Sequence, residues 1–101
     1  MNVEVEIFPW LSERLGGSDH LTRNLKWRVD IAAKSTVGDV MARLATEREG
    51  FRRFVFDPQS RTLSDDLVVV LNNRLLNLVG GLDAELSDGD RLAIIQALAG
   101  G

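Results

Sequence analysis

The last two residues of the sequence, Gly100 and Gly101, offer a reactive group that needs no side chain. They follow residues 86–95, which carry the densest run of folding signals in the sequence. Glycine lacks a Cβ and leaves the backbone free, so this segment and its carboxylate can enter a channel too narrow for larger residues. The five residues 97–101 reach about 17 Å when extended. The pattern predicts chemistry at the α-carboxyl group of Gly101, and the alternative is a disordered end without function.

The side chains offer little competing chemistry. The sequence contains no cysteine, which excludes thiolate nucleophiles, disulfides and cysteine-based zinc sites. His20, the one histidine, stands in a polar connection without a second ligand at metal spacing, which favours a solvated side chain. Asp88 and Asp90 have the chemistry for acid–base catalysis or cation binding, but Gly89 between them indicates a turn. We expect no metal site and no bound cofactor.

Composition indicates one globular domain. The 101 residues are 45% hydrophobic and 27% charged, and a chain of this length has room for a single core. The sequence lacks the long apolar run of a transmembrane helix, and its acidic start is unlike a signal peptide. We therefore expect a cytoplasmic protein. A net charge of −3 and a pI near 5.0 argue against direct nucleic-acid binding.

The first half of the sequence predicts two strands and a helix. Residues 2–7 and 25–31 alternate apolar and polar side chains, which is typical of strands with one buried face, and we expect them to pair as a hairpin. Residues 35–45 carry apolar side chains at helical spacing, with Ser35 or Thr36 as the cap. We expect this amphipathic helix to end near Gly50.

The second half predicts the rest of a sheet. An apolar lid on the helix end is expected from Phe51, Phe54 and Phe56, followed by a loop over residues 59–66. The continuous apolar run 67–71 predicts a strand buried on both faces. Further predictions are a turn at 72–74, a short edge segment at 75–79, a tight turn at 87–90 and a last strand at 92–95. This order predicts an α+β fold of the β-grasp type, with a mixed four- to five-stranded sheet packed on one main helix and the first and last strands central and parallel.

Three motifs follow each other in a characteristic order. They are Thr36-Val37-Gly38-Asp39-Val40, the Leu-Ser-Asp-Gly-Asp sequence at 86–90, and the terminal Ala99-Gly100-Gly101. In this order and spacing they resemble the MoaD/ThiS sulfur-carrier family of ubiquitin-like proteins, and in particular its molybdopterin synthase small subunits. A Gly-Leu-Asp segment at 81–83 adds to the resemblance, which covers nearly the whole chain.

The resemblance implies a ubiquitin-like β-grasp domain over residues 1–96 and a flexible tail over 97–101. It implies an E1-like adenylyltransferase that uses ATP to adenylate the Gly101 carboxyl group, and a sulfur donor enzyme that converts it to a thiocarboxylate. The large subunit of molybdopterin synthase would then receive the tail, formed by Leu98, Ala99 and Gly100, and move the sulfur onto a pterin precursor. The sequence has no Walker-type glycine loop, so the chain is expected to be a substrate and carrier with no catalytic side chain of its own.

The family also presents an apolar patch on the exposed sheet face, and the matching positions here are Phe8, Leu75 and Ile95. Phe8 and Ile95 are each out of phase with the apolar residues expected in the core of their strands. Clustered exposed apolar residues usually mark a partner surface. The alternative is that a further element covers them.

The tail departs from the molybdopterin carriers in one respect. Those carriers have prolines just before the last glycines, whereas residues 96–99 read Gln-Ala-Leu-Ala. This is nearer the leucine-containing tails of ubiquitin-related modifiers. A carrier for transfer-RNA thiolation, a modifier conjugated to lysines, and a binding module with an incidental tail are therefore the alternatives.

Overall fold

A computed structural model describes residues 1–7 and 25–96, which form seven strands and two α-helices. The strands are β1 (Asn2–Ile7), β2 (Leu25–Asp30), β3 (Phe56–Asp57), β4 (Thr62–Leu63), β5 (Leu67–Leu71), β6 (Arg74–Leu75) and β7 (Arg91–Gln96). The helices are α1 (Val37–Glu47) and α2 (Glu49–Phe54), and two short 3-10 helices, Leu76–Leu78 and Gly81–Asp83, precede β7. Outside the described residues lie His20 and five candidate site residues, namely Phe8, Leu98, Ala99, Gly100 and Gly101.

Five of the strands form one mixed sheet in the order β2-β1-β7-β5-β6. β1 pairs antiparallel with β2 and parallel with β7, and β5 pairs antiparallel with β7 and β6. The predictions of a mixed sheet of four to five strands, here five, and of central, parallel first and last strands are therefore confirmed. The division into a domain at 1–96 and a tail at 97–101 stays a prediction.

The main helix begins as its sequence indicates. Thr36 is the N-cap of α1: its hydroxyl accepts a hydrogen bond from the Asp39 N–H at 3.2 Å, and its own N–H donates to the Asp39 carboxylate at 2.9 Å. Of the two predicted caps, the structure uses Thr36. The apolar stripe of α1 is buried and joins the inner face of the sheet in one core. In the described ranges, no helix has the length and apolar character needed to cross a bilayer.

The predicted end of the helix was wrong. α1 ends at Glu47, because the backbone of Arg48 turns to an extended conformation at φ −133°, and Gly50 lies inside the second helix α2. The aromatic residues that follow do not form a lid. Phe51 and Phe56 are 0% and 1% exposed and are part of the core, where α2 places Phe51 and β3 places Phe56.

Two predictions for the segments after α2 were also wrong. The region predicted as a loop over 59–66 contains β4, which pairs with β3 as a small separate hairpin. The strand β5 is buried on one face only: Val69 and Leu71 are buried, whereas Val68 and Val70 are partly exposed. The second face of β5 is therefore apolar but not part of the core.

Candidate functional site

The turn before β7 fixes the strand that leads into the tail. Asp90 donates its N–H to the Ser87 carbonyl at 3.1 Å, and Gly89 between them adopts φ +87°, as the sequence predicts. The Asp88 carboxylate accepts a hydrogen bond from the Asn2 N–H at 2.7 Å, and the Gly89 N–H donates to the Asn2 carbonyl at 2.7 Å. The turn is thereby tied to the start of β1.

The second carboxylate of this turn is also used for structure. Asp90 accepts hydrogen bonds from the Ser87 N–H at 2.8 Å and from the Asn72 side-chain amide at 2.9 Å. The carbonyl oxygen of the same Asn72 amide accepts from the Arg91 N–H at 2.9 Å. Because both Asp88 and Asp90 bind polar groups of neighbouring segments, the prediction of a structural turn is confirmed. The start of β7 is held between β1 and the β5–β6 turn.

The helix-start motif lies against the segment that precedes this turn. The Val37 N–H donates to the Ala84 carbonyl at 3.0 Å, and the Leu86 N–H donates to the Ser35 carbonyl at 2.8 Å. At Gly38, a Cβ atom would lie 3.2 Å from the Leu82 carbonyl oxygen and would meet the Arg61 guanidinium. The glycine of the motif therefore permits the close approach of α1 to the 3-10 helix at 81–83, a reason that its sequence neighbours alone did not indicate.

β7 stays in the centre of the sheet up to the beginning of the tail. Leu92 and Ile94 are both 0% exposed, and the pairing of β7 with β5 extends to its last residue, Gln96, opposite Leu67. The residues that follow Gln96 therefore start from a strand that is fixed by pairing and by core packing.

Two of the three predicted docking residues lie on one face of the sheet. In the strand register Ile95 is opposite Val68, and Val70 is opposite both Ala93 and Leu75. These five residues share the face that points away from the core, since their strand neighbours Val69, Leu71, Leu92 and Ile94 are buried. We call them the outer apolar patch: Val68, Val70, Leu75, Ala93 and Ile95. Leu75 is 50% exposed, whereas Phe8 lies outside the described residues.

The other half of this face is charged. Glu4 and Glu6 of β1 are opposite Arg28 and Lys26 of β2, and the Glu4 carboxylate lies 3.2 Å from the Arg91 guanidinium. We call the four β1 and β2 residues the charged half. Exposed ion pairs of this kind contribute little to stability. The outer face is thus divided into an apolar half over β5–β7 and a charged half over β1 and β2.

Side chains suited to metal binding are not grouped in the part of the chain that the structure describes. Across residues 1–7 and 25–96, no three His, Cys, Asp or Glu side chains lie together in a way that could hold an ion.

Comparison with known proteins agrees with this geometry. Over its whole length the chain is 30% identical to "Small archaeal modifier protein 3" of Haloferax volcanii and 29% identical to "Sulfur carrier protein CysO" of Mycobacterium tuberculosis, and both alignments cover 100% of each protein. The crystal structure of SAMP1 from Haloferax volcanii superposes with a TM-score of 0.71 at 26% identity and covers 100% of both chains. The model of the ThiS family matches residues 5–101. The chain therefore belongs to the ThiS family, which has the ubiquitin-like β-grasp fold and comprises sulfur carriers and ubiquitin-like modifiers.

Proposed function

We propose that this protein is a sulfur carrier whose reactive group is the carboxyl group of Gly101. One observation carries the proposal: in a ThiS-family chain, the pairing of β7 extends to Gln96 and its residues Leu92 and Ile94 are buried in the core, directly before the sequence Ala-Leu-Ala-Gly-Gly. A rigid base and a chain end of two glycines together allow a partner to locate the terminal carboxylate while the folded domain stays outside its active site.

The chemistry requires partners, because a carboxylate is a poor electrophile. An E1-like adenylyltransferase transfers AMP from ATP to the Gly101 carboxylate and releases pyrophosphate. Sulfide sulfur supplied by a sulfur donor enzyme then attacks the acyl adenylate, AMP leaves, and the C-terminus becomes a thiocarboxylate. Leu98, Ala99 and Gly100 are the segment that enters each partner. The chain itself holds no cofactor in this scheme and works in the cytoplasm.

The outer apolar patch is the proposed docking surface, with Phe8 as a further contact. Its residues are apolar although they lie opposite the core, and Leu75 has half of its surface exposed. A partner that covers this face removes apolar surface from water, which favours association. Leu75 and Ile95 are the residues we expect to contact both the E1-like enzyme and the enzyme that receives the sulfur.

The first proposed acceptor is a pterin precursor bound to the large subunit of molybdopterin synthase, as the sequence motifs suggest. The second is transfer-RNA thiolation or conjugation to lysines. The second candidate is favoured by the Gln-Ala-Leu-Ala sequence at 96–99 and by the identity to a protein named as a modifier.

Intact-mass measurement tests the carrier proposal. The purified chain is incubated with the E1-like adenylyltransferase of the same organism, ATP and a sulfur donor, and we expect one terminal oxygen to be replaced by sulfur at Gly101. The matched control lacks Gly101 and should remain unmodified. Unchanged mass of the full chain, or unchanged activity in cells after deletion of Gly101, would refute the proposal.

The fate of the thiocarboxylated chain distinguishes the two proposed acceptors. Transfer of the sulfur to a pterin by the large subunit of molybdopterin synthase supports the first acceptor. A branched diglycine remnant on lysines of other proteins, found by peptide mapping, supports the modifier instead.

A further inference from the structure

The second helix, α2, carries a basic surface on an acidic protein. Residues 48–53 contain three arginines and one glutamate, which is a net charge of +2 in a chain of net charge −3 and leaves −5 on the rest. The three arginines, Arg48, Arg52 and Arg53, are all exposed. We call them the α2 arginine surface. The opposite side of the helix packs into the core through Phe51, which is 0% exposed.

Aromatic packing beneath α2 holds the first of these arginines. The Arg48 guanidinium carbon lies 4.0 Å from the ring centroid of Trp27, and the Trp27 ring is in turn 6.0 Å from the Phe51 ring. Stacking uses the flat face of the guanidinium group and leaves the N–H groups in its plane able to bind a carboxylate through two parallel hydrogen bonds. Arg48 is therefore a donor whose position is fixed by the protein before a partner binds.

Arg52 extends this surface by one helical turn. Its N–H donates to the Arg48 carbonyl at 3.2 Å, and residues four apart on a helix lie on the same side. Beside Arg52, a cleft of 520 Å³ lies between α2, the end of α1 and Pro58. A side chain of a partner can enter this cleft next to the Arg52 guanidinium group. Glu49 is the one carboxylate among its lining residues.

The α2 arginine surface is not used in internal ion pairs. Within residues 1–7 and 25–96, Arg43 pairs with Glu47 and Arg91 pairs with Glu4, whereas none of the three α2 arginines pairs with a carboxylate of the chain. An anionic partner therefore does not have to break an existing ion pair before it binds these side chains.

The charge of the remaining chain favours an acidic protein segment over a nucleic acid as the partner. A nucleic acid is a polyanion that extends beyond three arginines, so its further phosphates would meet a chain that carries −5 outside residues 48–53. A protein segment with a few carboxylates contacts the α2 arginine surface alone, and charges more than about 8 Å away are largely screened at physiological salt. The planar guanidinium group also matches the geometry of a carboxylate.

We propose that the α2 arginine surface binds an acidic segment of a second protein, with Arg48 and Arg52 as the main donors and Arg53 beside them. The helices and the inner face of the sheet enclose the core, so this surface and the outer apolar patch lie on opposite sides of the sheet. A protein held at α2 and a partner docked on the patch can therefore be bound at the same time. The binding does not depend on the function proposed for Gly101.

NMR titration of the full chain with a hexaglutamate peptide, at about 0.15 M ionic strength, tests the binding. We expect the largest chemical-shift changes in residues 48–53. The double variant Arg52→Gln/Arg53→Gln should weaken Kd about two- to thirtyfold, as expected for the loss of two exposed ion pairs. The matched control Arg28→Gln/Arg74→Gln removes the same charge from β2 and β6 and should keep the parent Kd. All four arginines are exposed, so we expect both variants to remain folded.

A substitution in the cleft should change the affinity in the opposite direction. Glu49→Gln removes the one carboxylate that lines the cleft and should tighten Kd for hexaglutamate up to about fivefold. Leu75→Asp on the outer apolar patch and deletion of Gly101 should both leave this Kd unchanged. These two variants separate the α2 arginine surface from the proposed docking patch and from the proposed carrier function.

Any of four results would overturn the proposal. The first is the absence of saturable shifts with hexaglutamate, and the second is equal weakening by both double variants, which would show an effect of net charge alone. The third is a uridine oligonucleotide that binds residues 48–53 when hexaglutamate does not. The fourth is a lower free energy of unfolding for Arg52→Gln/Arg53→Gln with unchanged Kd, which would leave these arginines a structural role in the last turn of α2.

Discussion

Replacement of Leu75 by aspartate should weaken association with the E1-like partner at least about tenfold while the fold is retained. Full burial of a leucine side chain is worth about 1.5–3 kcal/mol, and Leu75 is 50% exposed, so docking buries about half of that value, roughly 0.7–1.5 kcal/mol. Placing a carboxylate in the same contact adds a desolvation cost of at least about 1 kcal/mol. Their sum is about 1.7 kcal/mol or more, and each 1.4 kcal/mol is a factor of about ten in Kd.

Isothermal titration calorimetry measures this loss, and circular dichroism checks the fold. Charged residues are common on edge strands such as β6, so we expect the variant to remain folded. The matched control is Leu78→Asp, which introduces the same charge at an exposed leucine that lies outside the outer apolar patch. The difference in Kd between the two variants reports the contribution of the patch. Parent-like affinity of Leu75→Asp would refute docking through this patch, and equal weakening of both variants would show that the loss comes from the added charge and not from the patch.

Three further substitutions test the structure that supports the site. Thr36→Ala removes the cap of α1 and should lower the free energy of unfolding in urea by about 1 kcal/mol. The control is Thr46→Ala, which lies inside the same helix. An equal loss of unfolding free energy in the control would rule out the cap as the cause. Gly89→Ala should cost about 1–2 kcal/mol through backbone strain alone, since φ is +87° and nothing lies within 4 Å of an added Cβ; an unchanged melting temperature would contradict this. Ile94→Ala should cost about 2–5 kcal/mol in thermal unfolding, because Ile94 is 0% exposed, whereas Val70→Ala on the outer face should cost clearly less; equal losses would contradict the assignment of the two faces.

The sheet and its main helix could be predicted because their signals are local. The alternation of Val3, Val5 and Ile7 marks one buried face, and the structure buries all three. The glycine at 89 between two aspartates indicates a turn, and the structure has one. Such patterns depend only on neighbouring residues, so these elements can be predicted without knowledge of the tertiary contacts.

The wrong predictions concern segments whose structure depends on tertiary contacts. Gly50 is a common helix terminator, yet it lies inside α2 because Phe51 packs into the core and holds that helix. The apolar run of β5 predicts burial on both faces, since a sequence cannot distinguish a face buried by the fold from one left for a partner. Val68 and Val70 lie on the face that the core leaves partly exposed. For the candidate site, the sequence placed Leu75 and Ile95 on the exposed face of the sheet, and the strand register agrees; their role in docking stays a prediction.

Two of the three motifs that indicate the family, residues 36–40 and 86–90, are structural, and the proposed reaction does not use their side chains. Thr36 and Gly38 hold the start of α1 against the segment before β7, and Asp88 and Asp90 fix the turn that leads into it. Gly101 needs only a free carboxyl group, so the tail alone cannot tell one acceptor enzyme from another. We expect discrimination to come from the outer face, where the apolar patch adjoins a charged half with acidic side chains on β1 and basic side chains on β2. Apolar contact supplies affinity to any partner, whereas opposed or matched charges favour one partner and reject another. We therefore infer that substitutions in the charged half will change which enzyme receives the sulfur, and that substitutions in the patch will weaken every partner alike.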